Sequence, residues 1–123
     1  MKILIIENNV EDARKYEESL SSKGFQVHHA KGGIEGIKKL NEDTYNLILL
    51  NIMLPDMHGL NFIKTIRNHF PDNKAPMVIL TECADDQVIE EAYKLHISGY
   101  LVKPDHTPEQ IAEYVKGALY INK

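Results

Sequence analysis

Polar side chains follow four of the five candidate strands in this sequence of 123 residues. They are Glu7, Asn8 and Asn9 after the first, Asn51 after the third, Thr81 and Glu82 after the fourth, and Lys103 after the fifth. Ligands of open parallel α/β sheets bind beyond the carboxyl ends of the strands, near the point where the strand order reverses. We therefore expect these groups to converge on one crevice. These polar groups are the residues of this chain best placed to contact a ligand.

Short apolar runs alternate with longer amphipathic segments, which is typical of a parallel sheet covered by helices on both faces. The predicted strands are Lys2–Ile6, Gln26–His29, Leu47–Leu50, Met77–Leu80 and Tyr100–Val102. Apolar stripes at helical spacing follow each strand: Val10, Ala13, Tyr16 and Leu20; Ile34, Ile37 and Leu40; Leu60, Ile63 and Ile66; Val88, Ile89, Ala92 and Leu95; and Ile111, Val115, Ala118 and Leu119. Five strand–helix rounds predict a (βα)5 architecture with three α/β/α layers.

Capping signals mark several helix ends. Asn8 or Asn9 could cap the first helix, a role compatible with a place in the crevice. Gly24 is a plausible C-terminal cap of that helix. Thr107, Pro108 and Gln110 predict a capping box at the start of the fifth helix.

Four segments resemble the signature segments of response-regulator receiver domains. They are ILIIENN around Glu7, LILLNIMLPDMHG around Asn51, VILT ending at Thr81, and YLVKP around Lys103. Thr81 and Lys103 lie 30 and 52 positions after Asn51, which are the offsets of the hydroxyl and the lysine in that family. The resemblance covers the whole chain, so residues 1–123 are taken as one receiver domain, which could be the N-terminal part of a longer protein.

The resemblance implies a CheY-like fold with the strand order 2-1-3-4-5 that flavodoxin shares. It also implies a phosphoryl switch, in which an aspartate attacks a phosphodonor and Mg²⁺ is held by two acidic residues and a backbone carbonyl. By position, Asn51 takes the place of the phospho-accepting aspartate, and Glu7 and Asn8 take the places of the two acidic metal ligands. The Met53 carbonyl corresponds to the third metal ligand. Thr81 and Lys103 correspond to the two residues that contact the phosphoryl group.

Two of the three acids are missing from this arrangement. Asparagine is nearly isosteric with aspartate, but its amide has no anionic oxygen and cannot form a normal acyl phosphate. Glu7 against Lys103 leaves no net charge for a divalent ion to balance. We therefore expect a pseudo-receiver with no metal site and no cofactor, in which Lys103 pairs with Glu7 or hydrogen-bonds Asn51.

Three further positions carry expectations. Glu82 stands where the family usually has a small residue, so it could crowd the phosphoryl site or point to solvent. Tyr100 falls on the family's switch aromatic, although core filling is an alternative role. The resemblance also suggests a cis peptide bond between Lys103 and Pro104.

Composition limits the remaining classes. The formal net charge of −4 argues against nucleic acid as a direct partner, and the first apolar run is too short to span a membrane. The single cysteine, Cys83, excludes an internal disulfide and fits the cytoplasm. The six histidines show no metal-ligand spacing.

The favoured hypothesis is a non-enzymatic, phosphorylation-independent two-component signalling module, a monomer or weak dimer. Its protein partner, a histidine kinase or an output domain, would bind the face of the fourth helix, fifth strand and fifth helix. That face would include Glu90, Glu91, Lys94, His96, Tyr100 and His106. One alternative is a conventional phosphoswitch in which Asn51 is an engineered replacement, which Asn8 argues against. A flavin-binding protein is a third, although its phosphate loop would favour Gly, Ser and Thr.

Overall fold

The computed structural model describes residues 1–103 and 105–121, the last of them by its backbone alone, and it forms an alternating α/β domain. The elements are β1 (Lys2–Ile6), α1 (Val10–Ser22), β2 (Gln26–Ala30), α2 (Gly33–Glu42), β3 (Leu47–Leu50), α3 (Gly59–His69), β4 (Met77–Thr81), α4 (Asp86–Lys94), β5 (Gly99–Val102) and α5 (Pro108–Ile121). All strand pairs are parallel, and the order is β2-β1-β3-β4-β5. The predicted three-layer fold and its strand order are confirmed.

Two apolar clusters lie on opposite faces of this sheet. Alternate residues of β1 belong to different clusters, Leu4 and Ile6 to one and Ile3 and Ile5 to the other, because successive side chains of a strand point to opposite faces. α2, α3 and α4 cover the first face, with Phe62 fully buried, and α1 and α5 cover the second. Burial on both faces explains why β1, β3 and β4 are continuous apolar runs.

The capping predictions agree with the structure. Asn9 is the N-cap of α1, since its side chain accepts a hydrogen bond from the Asp12 N–H. Gly24 follows α1 with a φ of 91°, the left-handed conformation that glycine adopts most easily. Thr107 and Gln110 form a capping box, in which the Thr107 N–H donates to Gln110 Oε1 and the Gln110 N–H to Thr107 Oγ1.

Some sequence boundaries were wrong by one residue: β2 extends to Ala30, β4 to Thr81, and β5 begins at Gly99. Val10 and Ile34 do not belong to the buried stripes, because they are 62% and 66% exposed. Both lie in the first turn of their helices, beyond the carboxyl edge of the sheet. The predicted cis bond between Lys103 and Pro104 falls outside the described residues and stays a prediction.

Candidate functional site

Glu7 and Asn51 lie side by side because β1 and β3 are neighbours in the sheet. Ile6 pairs with Leu50 at the ends of these strands, so the next residue of each meets the other. The Asn51 amide nitrogen donates to both carboxylate oxygens of Glu7, at 3.3 and 3.1 Å. Asn51 Oδ1 in turn accepts the Met53 N–H at 3.1 Å, so both ends of the amide are engaged. Glu7 is 2% and Asn51 9% exposed, which makes this a buried polar contact.

Lys103 completes the pocket from the end of β5. Its Nζ lies 2.5 Å from Glu7 Oε1 and 3.0 Å from Asp12 Oδ2. The predicted pairing with Glu7 is therefore present, whereas the contact with Asp12 was not predicted. The lysine side chain is 11% exposed and that of Glu7 3%, so their ion pair is almost fully withdrawn from water.

The remaining lone pairs of Glu7 are also used. The Asn9 N–H donates to Glu7 Oε2 at 3.1 Å. With its amide nitrogen turned inward, Asn8 donates to Glu7 Oε2 at 3.1 Å and to the Met53 carbonyl at 3.2 Å. His29 Nε2 lies 2.7 Å from the Glu7 carbonyl and therefore carries the proton of this hydrogen bond. Burial of a charge requires such compensation, and these protein groups supply it to Glu7.

Asp12 changes the charge of the pocket. With Glu7 and Asp12 against Lys103, the three side chains carry a net charge of −1 rather than the neutrality expected from the sequence. Asp12 was not among the residues predicted for the crevice. Its position three residues after the Asn9 cap was the available signal, because the first turn of α1 sits directly above the strand ends.

The ion pairs shift the titration of two neighbouring groups. Burial alone would lower the pKa of the Lys103 amine, but its hydrogen bonds to Glu7 and Asp12 and the charge of Glu7 outweigh burial and raise it. Lys103 Nζ also lies 5.7 Å from the ring centre of Tyr16. Burial, together with the charges of Asp12 and Glu7, raises the pKa of Tyr16 to about 12 against the opposing charge of Lys103. At neutral pH the lysine is charged and the phenol is protonated.

Thr81 and Tyr100 belong to a second group of contacts at the ends of β4 and β5. Thr81 is fully buried, and its hydroxyl accepts the Cys83 N–H at 3.3 Å. The Tyr100 hydroxyl donates to the Cys83 carbonyl at 2.6 Å. Burial is the main cause that raises the pKa of Tyr100. Lys103 joins both groups, since its backbone N–H donates to the Thr81 carbonyl at 2.7 Å. Glu82 is exposed. The expectation that it could crowd the phosphoryl site stays a prediction.

The loop after Asn51 is fixed at both ends. Gly59, the first residue of α3, donates its N–H to the Ile52 carbonyl at 2.7 Å, and a Cβ at this glycine would come within 2.8 Å of the Asn51 carbonyl oxygen. Asp56 accepts the Gly33 and Ile34 N–H groups at 2.9 Å each, which anchors the loop to the start of α2. These backbone donors lower the pKa of the Asp56 carboxyl. The sequence analysis did not identify Asp56.

Two negative findings apply to residues 1–103 and 105–121. In these ranges no three His, Cys, Asp or Glu side chains are grouped in a way that would hold a metal ion. None of the helices there combines the length and hydropathy that crossing a bilayer requires.

Comparisons with known proteins agree with the fold. The family model described as "Response regulator receiver domain" matches residues 3–116. The uncharacterized transcriptional regulatory protein YclJ of Bacillus subtilis is 34% identical over 106 residues, which are 85% of this chain and 44% of that protein. The probable chemotaxis protein CheY of Rhizobium etli is 29% identical, over 85% of this chain and 81% of that protein.

A solved two-component response regulator from Clostridium difficile is similar over the whole chain. It is 33% identical, with a TM-score of 0.90, and the match covers 100% of this chain and 99% of that one. The chain spans about half the length of the first curated relatives that it matches. The fold, the order of the pocket residues and the family match together show that the chain belongs to the response regulator receiver domains of two-component signalling.

Proposed function

We propose that this receiver domain works without phosphorylation, as a non-enzymatic protein-interaction module. The observation that carries the proposal is the contact of the Asn51 amide nitrogen with both Glu7 oxygens. Phosphorylation in this family needs a carboxylate oxygen at position 51 that can attack phosphorus. Here the Asn51 side chain directs its N–H groups to the Glu7 carboxylate, and its single oxygen accepts the Met53 N–H.

The pocket residues do not fit a divalent cation. Mg²⁺ prefers several oxygen ligands in octahedral geometry. Both Glu7 oxygens already accept hydrogen bonds, and Lys103 Nζ stands 2.5 Å from one of them. The amides of Asn8 and Asn51 direct hydrogens, not oxygens, toward Glu7. We therefore expect Mg²⁺ binding to be weak or absent.

The partner would be a protein that binds the α4–β5–α5 face. Tyr93 in α4 is 50% exposed and Tyr114 in α5 is 39% exposed, and exposed aromatic side chains are enriched in protein interfaces. Charged residues surround them, including the exposed Glu90–Lys94 ion pair. Several relatives are transcriptional regulatory proteins about twice as long, and one is a hybrid signal transduction histidine kinase. We propose an output domain or a histidine kinase as the partner, in the cytoplasm, with no direct contact to nucleic acid or membrane.

A phosphorylation assay tests the proposal directly. The native chain is incubated with acetyl phosphate and Mg²⁺, and its intact mass is measured; Mg²⁺ binding is followed in parallel by calorimetry. We expect no phosphoryl adduct and no binding heat. The Asn8→Asp/Asn51→Asp double variant, which restores both missing carboxylates, is the positive control. A phosphoryl adduct on an aspartate of the native chain would overturn the proposal.

The single variant Asn51→Asp separates this proposal from an engineered replacement at position 51. If only position 51 had been altered, restoring one carboxylate would recover full phosphorylation. Asn8 disfavours that outcome, because its amide hydrogen-bonds Glu7 and the Met53 carbonyl where the family has a second acid. We expect the single variant to fall well short of the double variant in the yield of phosphoprotein. A colourless purified protein would further exclude the flavin-binding alternative.

A further inference from the structure

A second cavity lies at the opposite edge of the sheet from Glu7. It has a volume of about 570 Å³, within the range of small-molecule pockets. The segments that line it lead into β4 and β5, so it opens at the amino-terminal ends of these strands. Its lining includes Arg67, Phe70, Pro71, Lys74, His96 and Ser98. We call this cavity the basic cleft.

The basic cleft has an unusual charge for this molecule. Its ionisable lining residues are Arg67, Lys74 and His96, and no aspartate or glutamate is among the described residues that line it. On the same count of Lys and Arg against Asp and Glu, the cleft has two basic and no acidic residues in its described lining, whereas the whole chain has 14 basic and 18 acidic residues. A concave surface lined by one sign of charge concentrates the electric field and attracts ligands of the opposite sign. The cleft is therefore suited to an anion.

Arg67 is held in a fixed position within the cleft. Its Nε donates to the Leu95 carbonyl at 3.2 Å and one Nη to the His96 carbonyl at 3.1 Å. These two bonds leave three of its five N–H donors for other partners. The half-buried guanidinium has no ion pair with a carboxylate among residues 1–103 and 105–121. The carbonyl end of α4 stabilises the guanidinium charge and offsets only part of it, since a helix C-terminus carries about half a negative charge.

Lys74 and His96 add two exposed basic side chains at the same cleft. Within the described part of the chain, the Lys74 amine takes part in no ion pair. His96 has a φ of 62° directly after the C-cap of α4, where glycine is the residue that fits best. The chain instead carries an imidazole at this position.

Apolar surface next to these basic groups favours a ligand that also has an apolar part. Phe70 and Pro71 line the basic cleft and also a neighbouring cavity of about 710 Å³. That neighbouring cavity is lined by both signs of charge, with Asp43 and Asp72 beside His69 and Lys74, whereas the described lining of the basic cleft contains no carboxylate. The anionic end of a ligand therefore belongs in the basic cleft. We propose that the basic cleft binds a small organic phosphate, with the phosphate at Arg67, Lys74 and His96 and an apolar body against Phe70.

An NMR titration of the native chain with phenyl phosphate tests this assignment. At constant ionic strength, we expect saturable shifts of the Lys74, His96 and Ser98 amides and of the Arg67 Nε–H. Inorganic phosphate should produce smaller shifts at the same residues, and phenol should produce none at Arg67. Shifts that do not saturate, or that centre on the Glu7 pocket, would overturn the proposal. This outcome is independent of the phosphorylation assay, which concerns the opposite edge of the sheet.

Two variants keep the test separate from folding. Lys74→Gln changes an exposed side chain, and His96→Gly places glycine where the backbone favours it. We expect each to weaken phenyl phosphate binding by about fivefold, the effect of losing one exposed charge contact. Lys64→Gln removes an exposed charge from α3 outside the cleft and should bind like the native chain. Unchanged affinity in the Lys74→Gln/His96→Gly double variant would refute the assignment.

Discussion

Lys103 Nζ lies 3.0 Å from Asp12 Oδ2, which ties the end of β5 to the first turn of α1. The same amine pairs with Glu7 at the end of β1. Lys103 is 96 residues from Glu7 and 91 from Asp12 in the sequence, so one buried cation ties β5 to the opposite end of the chain. Side chains of the protein therefore join the ends of β1 and β5 to α1.

Replacing Asp12 with asparagine tests the strength of this link. Lys103 keeps Glu7 in the variant, so we expect a loss of about 1 kcal/mol in the free energy of unfolding, measured with urea. Glu7→Gln should cost about 3 kcal/mol, because it breaks the more deeply buried pair. Arg14→Gln breaks the exposed pair with Glu18 in the same helix and should change stability by less than about 0.5 kcal/mol. Equal effects of Asp12→Asn and Arg14→Gln would contradict the link.

Alkaline stability should depend on Tyr16. Its pKa of about 12 in the folded chain lies above the ordinary value of 10.0. Because the folded chain holds the phenol proton more tightly than the unfolded chain does, Tyr16 adds to the free energy of unfolding at pH values below 10. This contribution is lost as the pH rises from 10 toward 12. The expected loss in the free energy of unfolding is on the order of 2 kcal/mol. The raised pKa of Lys103 also adds stability that is lost at high pH. Tyr16→Phe should flatten the pH dependence of the unfolding free energy between these values; an unchanged slope would count against this account.

Restoring the carboxylate at position 51 should create a dependence on metal. Asn51→Asp replaces two hydrogen bonds to Glu7 with repulsion between two buried carboxylates. We expect a loss of about 2 kcal/mol in the presence of a chelator. Added Mg²⁺ should raise the melting temperature of the variant, whereas neither Mg²⁺ nor chelator should change that of the native chain. Asn41→Asp, at an exposed position of α2, provides the control for an added surface charge. Chelator-sensitive melting of the native chain would contradict this prediction.

The hydroxyl of Tyr100 should stabilise the loop between β4 and α4. Its hydrogen bond to the Cys83 carbonyl is 2.6 Å long, and removing it in Tyr100→Phe should cost about 1 kcal/mol. Amide hydrogen exchange should become faster in residues 82–85. Tyr93→Phe removes the hydroxyl of an exposed tyrosine in α4 and should leave these amides unchanged. If both variants exchange like the native chain, the hydrogen bond does not hold the loop.

Two glycines in helices should respond to alanine with opposite signs. An alanine at Gly59 would place its Cβ 2.7 Å from Ile52 Cα, a backbone atom that cannot move aside, and should cost about 2 kcal/mol. Gly117, in α5, is exposed with nothing within 4 Å of its Cβ position. Alanine there should stabilise the chain by about 0.5 to 1 kcal/mol, since glycine is the poorer helix former. Thermal unfolding of the two variants gives the comparison.

The fold was predictable because each local signal agreed with the others. Continuous apolar strands required cover on both faces, and the capping residues placed the helix starts. The exposure of Val10 and Ile34 was not predictable from periodicity, because helical spacing does not reveal where a helix projects beyond the sheet edge.

The candidate site was predictable where position along a strand decided it. Glu7, Asn8 and Asn51 meet because they follow the neighbouring strands β1 and β3, and the long Lys103 side chain reaches Glu7 from β5, at the same edge of the sheet. Asp12 was missed, because its contact depends on how α1 packs and not on a strand end. The basic cleft was missed for a related reason: Arg67, Lys74 and His96 come from three segments without a shared motif.

The contact of Asn51 with Glu7 also has a consequence for folding. Ile6 and Leu50 are paired, and Asn51 is the one polar residue among positions 47–52. Sliding β3 by one residue would bring Leu50 or Ile52 beside the buried carboxylate and turn every apolar side chain of β3 to the opposite face. Each lost hydrogen bond to this charge would cost about 1.5 to 3 kcal/mol. We therefore expect the Asn51 amide to select the correct alignment of the central strands against competing misaligned states.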